Sequence, residues 1–226
     1  MNNQHCAPII KICGIMSLAG IEACKNAGAD WAGLVFVAGS RHRVDDALAR
    51  QLAVAARPNL KVIGLFENHN LDEILNVVKN VPLDILQLHG DETVSLVREI
   101  KNATGLPVIK VVAVGDAVDI EKAELFSPVS DYVLFDAKPP ANATQRGGNG
   151  VSFNWQILKN FRGRVPWLLA GGLNAQNISE AIEMARPTGV DVSSGVETDH
   201  VKDPHKINTF CTLARQKLAS FSASRV

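Results

Sequence analysis

The residues near the amino terminus read Ile9-Ile10-Lys11-Ile12-Cys13-Gly14-Ile15. Apolar side chains fill most of this run, which is typical of a short strand buried on both faces of a parallel sheet. The run ends on a cysteine followed by a glycine. In proteins that alternate strands with helices, chemical groups collect at the carboxyl ends of the strands. Cys13 is therefore either a proton-transfer group or a small residue that fills the core.

Seven further apolar runs of strand length follow, separated by segments long enough for a helix. The eight predicted strands begin at Ile9, Trp31, Leu60, Leu83, Val108, Tyr132, Pro166 and Gly189. The candidate helix N-caps are Ser17, Asn70, Asp91, Asn174 and Asp203. Eight βα units predict an α/β fold in which residues 1–226 form a single (β/α)8 TIM barrel domain. The alternative is an open doubly wound sheet, but such sheets usually have a glycine-rich turn after the first strand, where this chain has only Gly14.

The composition excludes several classes of protein. The chain has 226 residues, with 23 basic and 23 acidic side chains, so no basic face for nucleic acid is expected. No apolar window is long enough to span a membrane, and the first residues lack a secretory signal. The four cysteines have neither metal-ligand nor paired spacing, which favours reduced thiols in the cytoplasm. No apolar stripe indicates an interface, so we expect a monomer.

Two late loops have the composition of a phosphate site. Gly171 and Gly172 follow the seventh predicted strand, and Ser193 and Ser194 follow the eighth. In barrels the loops after strands seven and eight often bind phosphate, because glycines let backbone N–H groups approach an anion. The alternative is that the glycines only permit tight turns and the serines only cap them. Two such loops in neighbouring positions favour the phosphate site.

Three polar side chains end other predicted strands at the same rim. Asp136 ends the sixth strand, where partial desolvation suits a general acid. The alternative is a solvated loop aspartate or a partner of Lys138. His89 ends the fourth strand and is either a base, a substrate contact or a structural histidine. Cys13 would need a lowered pKa to act as a base, and Lys11 is the nearest cation. Cys24 and Cys211 fall on predicted helices, where a structural role is expected.

Two loops at the same rim complete the inventory of candidate residues. Arg41, His42 and Arg43 follow the second strand, and arginine can bind a substrate carboxylate with two hydrogen bonds. A solvated basic loop is the alternative. The stretch from Ala137 to Ser152 is long, irregular and rich in glycine and proline, as lids and binding loops often are.

Taken together, the motifs resemble those of the phosphoribosylanthranilate isomerase family over nearly the whole chain, from about Ile9 to Ala219. The residues that carry the resemblance are Lys11–Ile15, Gly33–Phe36, Gln87–Gly90, Leu134–Asp136, Ala170–Asn174 and Val190–Glu197. The resemblance implies a (β/α)8 barrel with no metal and no organic cofactor. It also implies an isomerase of tryptophan biosynthesis, with a phosphorylated sugar derivative as its substrate.

The resemblance further implies roles for particular residues. Asp136 is then the general acid that opens the ribose ring in an Amadori rearrangement, and Cys13 is the general base that removes the sugar C2 proton. Gly171, Gly172, Ser193 and Ser194 would hold the phosphate, and Lys11, His89 and Asp191 would contact the rest of the substrate. Glycines 147, 148 and 150 would belong to a loop that covers it.

One position departs from the family pattern. The family usually has Ser-Pro-Arg after the second strand, and its arginine falls on His42 here. Either Arg41 or Arg43 receives the anthranilate carboxylate instead, or a protonated His42 binds it more weakly. We expect one of the arginines, because a planar guanidinium binds carboxylate better than an imidazole. Two other functions stay open: indole-glycerol-phosphate synthase, for which an acidic partner on an early strand is missing, and a barrel that binds phosphate without turnover.

Overall fold

A computed structural model describes residues 7–138 and 153–223, and within them the strands close into a barrel. Each strand runs parallel to the next, and the eighth pairs back with the first. The strands are β1 (Ile9–Cys13), β2 (Trp31–Val35), β3 (Lys61–Phe66), β4 (Ile85–Leu88), β5 (Val108–Val114), β6 (Tyr132–Ala137), β7 (Trp167–Leu169) and β8 (Gly189–Val192). The (β/α)8 barrel predicted from the apolar runs is confirmed, with every strand starting within two residues of its predicted position.

Helices cover the outside of the barrel. They are α1 (Leu18–Asn26), α2 (Asp46–Ala56), α3 (Leu71–Asn80), α4 (Val94–Thr104), α5 (Ala117–Glu124), α6 (Ile178–Ala185) and α7 (Pro204–Ala223). Ahead of β7 the described residues form a 3-10 helix, Trp155–Asn160. A two-stranded hairpin, β9 (Glu197–Thr198) and β10 (Val201–Lys202), lies between β8 and α7.

Most predicted helix starts are confirmed by side-chain caps. Ser17 accepts a hydrogen bond from the backbone of Gly20, and Asn70 forms a capping box with Glu73. The prediction of Asp91 was wrong, because Thr93 caps α4 by accepting from the backbone of Leu96. Further along the chain, Asp203 caps α7 through the backbone N–H groups of His205 and Lys206, as predicted. Asn174 caps the turn that precedes α6, through the backbone N–H groups of Gln176 and Asn177.

The inside of the barrel is apolar at one end and polar at the other. Alternate residues of each strand face inwards, and the amino-terminal layers form an apolar cluster that includes Ile9, Ile85 and Leu134. Two residues further along those strands come Lys11, Gln87 and Asp136, all of them buried. Because every second residue of a strand faces inwards, these polar side chains lie at the carboxyl-terminal rim, above the apolar interior. Among the described residues, no helix is both long and apolar enough to cross a bilayer.

Candidate active site

Cys13 lies beside a buried ion pair at the junction of β1 and β8. Lys11 is fully buried, and its Nζ lies 2.9 Å from Oδ1 of Asp191, its direct partner in the strand register. Lys11 also interacts with the Cys13 side chain. Gly33 on β2 leaves the space for both, because a methyl group there would lie 3.0 Å from Cys13 Sγ and 3.3 Å from Lys11 Nζ. The arrangement keeps one cation next to the thiol.

At this junction, burial and the neighbouring charge of opposite sign have opposing effects on the pKa of Cys13 and on the pKa of Lys11. Burial raises the pKa of the Cys13 thiol above its usual value of 9.0, and Lys11 acts against that rise. Burial alone would lower the pKa of Lys11, but Asp191 and Cys13 outweigh it, so the pKa of Lys11 is raised. Asp191 and the thiol thus favour the charged form of Lys11, whereas burial disfavours the thiolate of Cys13 and Lys11 favours it.

Asp136 and His89 meet on the other side of the rim. His89 Nε2 lies 3.4 Å from Asp136 Oδ2, and Asp136 Oδ1 accepts a 2.9 Å hydrogen bond from the backbone of Ala137. A cavity of about 530 Å³ opens beside these two side chains. Asp136 is 8% exposed, so its carboxyl group is desolvated yet faces a space that a ligand can enter.

A second buried ion pair holds the loop that carries His89. Lys110 Nζ lies 2.8 Å from Glu92 Oε2 and donates to the carbonyl oxygen of Gly90 at 2.8 Å. Glu92 in turn accepts from the backbone N–H groups of Gly90 and Asn68, at 3.0 Å each. These contacts fix the turn directly after His89, which places its ring against Asp136.

The two predicted phosphate loops touch each other at the backbone. Gly171 and Gly172 both have left-handed φ angles, +88° and +62°, which glycine adopts without strain. Gly195, in the loop after β8, packs so closely that a methyl group on it would overlap the carbonyl oxygen of Leu173. Backbone groups of both loops therefore converge on one place at the rim.

Three basic side chains contact Glu197 at the mouth of the barrel. Its carboxylate lies 3.1 Å from Arg41 Nη2, 2.8 Å from His42 Nε2 and 2.5 Å from Lys202 Nζ. Burial acts to raise the pKa of Glu197, but the hydrogen bonds from His42 and Lys202 lower it to about 2. The ring of His42 packs against Gly14, directly after the thiol. Glu197 thus ties the β2–α2 loop to the loop after β8.

The structure brings most of the predicted site residues to one rim. Arg41 and Arg43 are both exposed, but Arg41 is anchored there by Glu197, whereas Arg43 is joined to Val35 of β2 by a backbone bridge. Ala137, predicted to begin the irregular stretch, is instead the last residue of β6. The glycines at 147, 148 and 150 lie outside the described residues.

The two helical cysteines are structural, as predicted. Cys24 and Cys211 are buried in α1 and α7, and burial raises the pKa of each thiol to about 12. Among the described residues, no group of His, Cys, Asp and Glu is arranged to hold a metal ion.

Sequence reasoning missed four residues that shape the site, which are Glu92, Lys110, Glu197 and Lys202. Lys110 had a visible signal, because it interrupts an apolar strand as Lys11 does. Lys202 had none, since its burial arises from a hairpin that packs on the β8 loop.

These features define a class of protein: a (β/α)8-barrel enzyme with a thiol, a carboxyl group and two glycine-bearing loops at the carboxyl ends of its strands. Residues 10–212 match the family model of N-(5'-phosphoribosyl)anthranilate (PRA) isomerase. The N-(5'-phosphoribosyl)anthranilate isomerase of Paracoccus denitrificans is 44% identical over 206 residues, covering 91% of this chain and 96% of that protein. The chain belongs to the phosphoribosylanthranilate isomerase family, as the motifs indicated.

Solved structures agree with this assignment. The phosphoribosylanthranilate isomerase of Thermotoga maritima superposes with a TM-score of 0.83 at 35% identity, covering 92% of this chain and 99% of that one. A phosphoribosylanthranilate isomerase in complex with reduced 1-(o-carboxyphenylamino)-1-deoxyribulose 5-phosphate superposes with a TM-score of 0.80 at 34% identity, with the same coverage. The chain is thus an isomerase of tryptophan biosynthesis by family.

Proposed function

We propose that this protein converts N-(5'-phosphoribosyl)anthranilate to 1-(2-carboxyphenylamino)-1-deoxyribulose 5-phosphate, with Asp136 as general acid and Cys13 as general base. The observation that carries the proposal is that both groups share one rim with the two glycine-bearing loops after β7 and β8. Membership of the family supports the same reaction.

The first step opens the sugar ring. Asp136 donates its proton to the ring oxygen while the C1–O bond breaks, and the nitrogen lone pair forms a protonated Schiff base with C1. The carboxyl group suits this task because it is buried and faces the cavity. His89, at 3.4 Å, would hold the carboxyl group in place and contact the opened sugar.

The second step moves the proton. The Cys13 thiolate removes the proton from C2, and the electron pair flows into the Schiff base to give an enolamine, which tautomerises to the ketone. Lys11 favours the thiolate by its charge, while Asp191 holds Lys11 in place. The acid and the base have different surroundings, as two groups with opposite tasks require.

The two ends of the substrate would be held by different groups. Gly171, Gly172, Ser193 and Ser194 would bind the phosphate through backbone N–H groups and hydroxyls. We assign the anthranilate carboxylate to Arg41 rather than Arg43, because Glu197 anchors the Arg41 guanidinium at the mouth while leaving its side chain 36% exposed.

The test follows anthranilate fluorescence as purified protein consumes freshly prepared substrate. The intact protein should give turnover, and Cys13→Ser and Asp136→Asn should each lower kcat by two orders of magnitude or more. Thermal unfolding of both variants should stay close to that of the parent protein. Folded protein without turnover would refute the proposed reaction, and full activity in Cys13→Ser would refute the role of the thiol.

A further inference from the structure

Lys202 is a nearly buried cation that the proposed reaction leaves without a task. It ends the hairpin that follows the β8 loop, and its side chain is 6% exposed. Its Nζ lies 3.1 Å from the carbonyl oxygen of Ser193, 3.2 Å from Ser193 Oγ and 2.5 Å from Glu197 Oε1. Lysines are rarely this buried without a specific partner.

These contacts fix the direction of one hydroxyl group. An ammonium group has three protons and no lone pair, so it can only donate. Its three contacts use all three protons, and Ser193 Oγ must therefore accept. The proton of the Ser193 hydroxyl has to point away from Lys202, which makes Ser193 a hydrogen-bond donor at the carboxyl end of β8.

We propose that Lys202 is a positioning residue that orients the Ser193 hydroxyl, and the carbonyl behind it, so that Ser193 donates to the phosphate group of the substrate. The inference rests on the proposed function, because it takes Ser193 as a phosphate contact. Lys202 does not itself bind the phosphate, since its protons are already shared among Ser193 and Glu197.

The double variant Lys202→Met/Ser193→Ala separates this role from general stabilisation. Each single change should raise KM, and the inhibition constant of inorganic phosphate, about tenfold, because a hydrogen bond to a charged group is lost. The double variant should be no worse than either single one, since both remove the same hydrogen bond. Additive effects would overturn the proposal.

Lys206→Met is the matched control. Lys206 comes from the start of α7 and donates to the backbone carbonyl of Glu197 at 2.6 Å, on the same hairpin. Its removal should leave phosphate inhibition unchanged. Lys202→Met should still fold, because Glu197 keeps Arg41 and His42 as partners. If Lys202→Met does not fold, Lys202→Gln, which retains an N–H donor, should fold. Its KM and its inhibition constant for inorganic phosphate should then increase less than tenfold.

Equilibrium dialysis with inorganic phosphate gives the same comparison without turnover. Weaker phosphate binding in Lys202→Met would support the positioning role even if the protein failed to isomerise phosphoribosylanthranilate. The opposite result would be unchanged phosphate binding in Lys202→Met with a lower kcat and an altered pH dependence of kcat. Lys202 would then act on the Cys13 thiol and not on Ser193, so the positioning role would be overturned although the proposed reaction still held.

Discussion

Lys11 and Asp191 face each other across the junction of β1 and β8, with Lys11 Nζ 2.9 Å from Asp191 Oδ1. Both side chains are nearly excluded from solvent, so neither charge can be removed without leaving the other uncompensated. Within β1, the Lys11 ammonium group is the cation that interacts with the Cys13 thiol. The pair therefore links the stability of the barrel to the ionisation of the proposed base.

Replacing Lys11 should weaken the thiolate. In Lys11→Met the pKa of Cys13 should rise further, because Lys11 has the larger effect of the two cations, with Lys202, that oppose the effect of burial. Alkylation of Cys13 by iodoacetamide, followed against pH, should shift to higher pH, and kcat/KM at pH 7 should fall about tenfold or more. Lys11→Met/Asp191→Asn removes both charges and controls for the unpaired carboxylate. An unchanged alkylation profile would exclude Lys11 as the stabilising group.

The reactivity of the Cys13 thiol should increase with pH. Burial raises the pKa of the Cys13 thiol above 9.0, so only a small fraction is thiolate at neutral pH. That fraction grows about tenfold with each pH unit below the pKa, and the rate of Cys13 alkylation by iodoacetamide, corrected with Cys13→Ser, should grow with it. Alkylation is the readout because turnover also needs Asp136 as a proton donor. An alkylation rate that is flat between pH 6 and 9, measured with protein shown to stay folded, would contradict the raised pKa.

Glu197 should contribute to stability above pH 4.5 and not in strong acid. Its pKa falls from 4.5 to about 2 on folding, so the ionised carboxylate stabilises the folded state, and this stabilisation is lost as the pH drops through that interval. The contribution is about 3 kcal/mol. In urea, the free energy of unfolding of Glu197→Gln should be lower than that of the parent protein at pH 7, and the difference should disappear towards pH 2. Glu183→Gln, which breaks an exposed pair with Lys217, should show almost none.

Gly195→Ala should separate the two proposed phosphate loops. The added methyl group meets the carbonyl oxygen of Leu173, and relieving that overlap should cost about 1–3 kcal/mol of unfolding free energy. Inhibition by inorganic phosphate should weaken as well, because the loops move apart. Gly28→Ala is the control, since Gly28 has a left-handed φ of +68° with open space around it. It should lower stability slightly and leave phosphate inhibition unchanged.

The strands were predictable because apolar runs survive wherever a strand is buried on both faces. The start of α4 could not be predicted, because Asp91 and Thr93 lie close together and are both residue types that cap helices well. Thr93 caps the helix, while the backbone of Asp91 instead donates to Asn68 Oδ1 at 2.7 Å. That choice depends on the turn braced by the buried pair of Glu92 and Lys110, which no local pattern reveals.

The candidate site also contains residues that could be predicted from the sequence and residues that could not. Cys13 and Asp136 could be recognised because Cys13 ends an apolar strand and Asp136 lies one residue before the end of another. The residues that set their surroundings come from distant parts of the chain, and Glu197 contacts Arg41 across 156 positions of sequence. Pattern along the chain identifies which strand ends carry polar groups, but not which loops fold over them.

The pairing of Lys11 with Asp191 spans 180 positions of sequence, so the surroundings of the proposed base come from the first and last strands of the barrel. During synthesis, β1 leaves the ribosome long before β8 exists, and Cys13 then lacks the carboxylate that holds its neighbouring cation. The surroundings of Cys13 are therefore complete only after β8 has been made and has paired with β1. A chain that ends before Asp191 would carry both proposed catalytic groups without the ion pair beside the thiol.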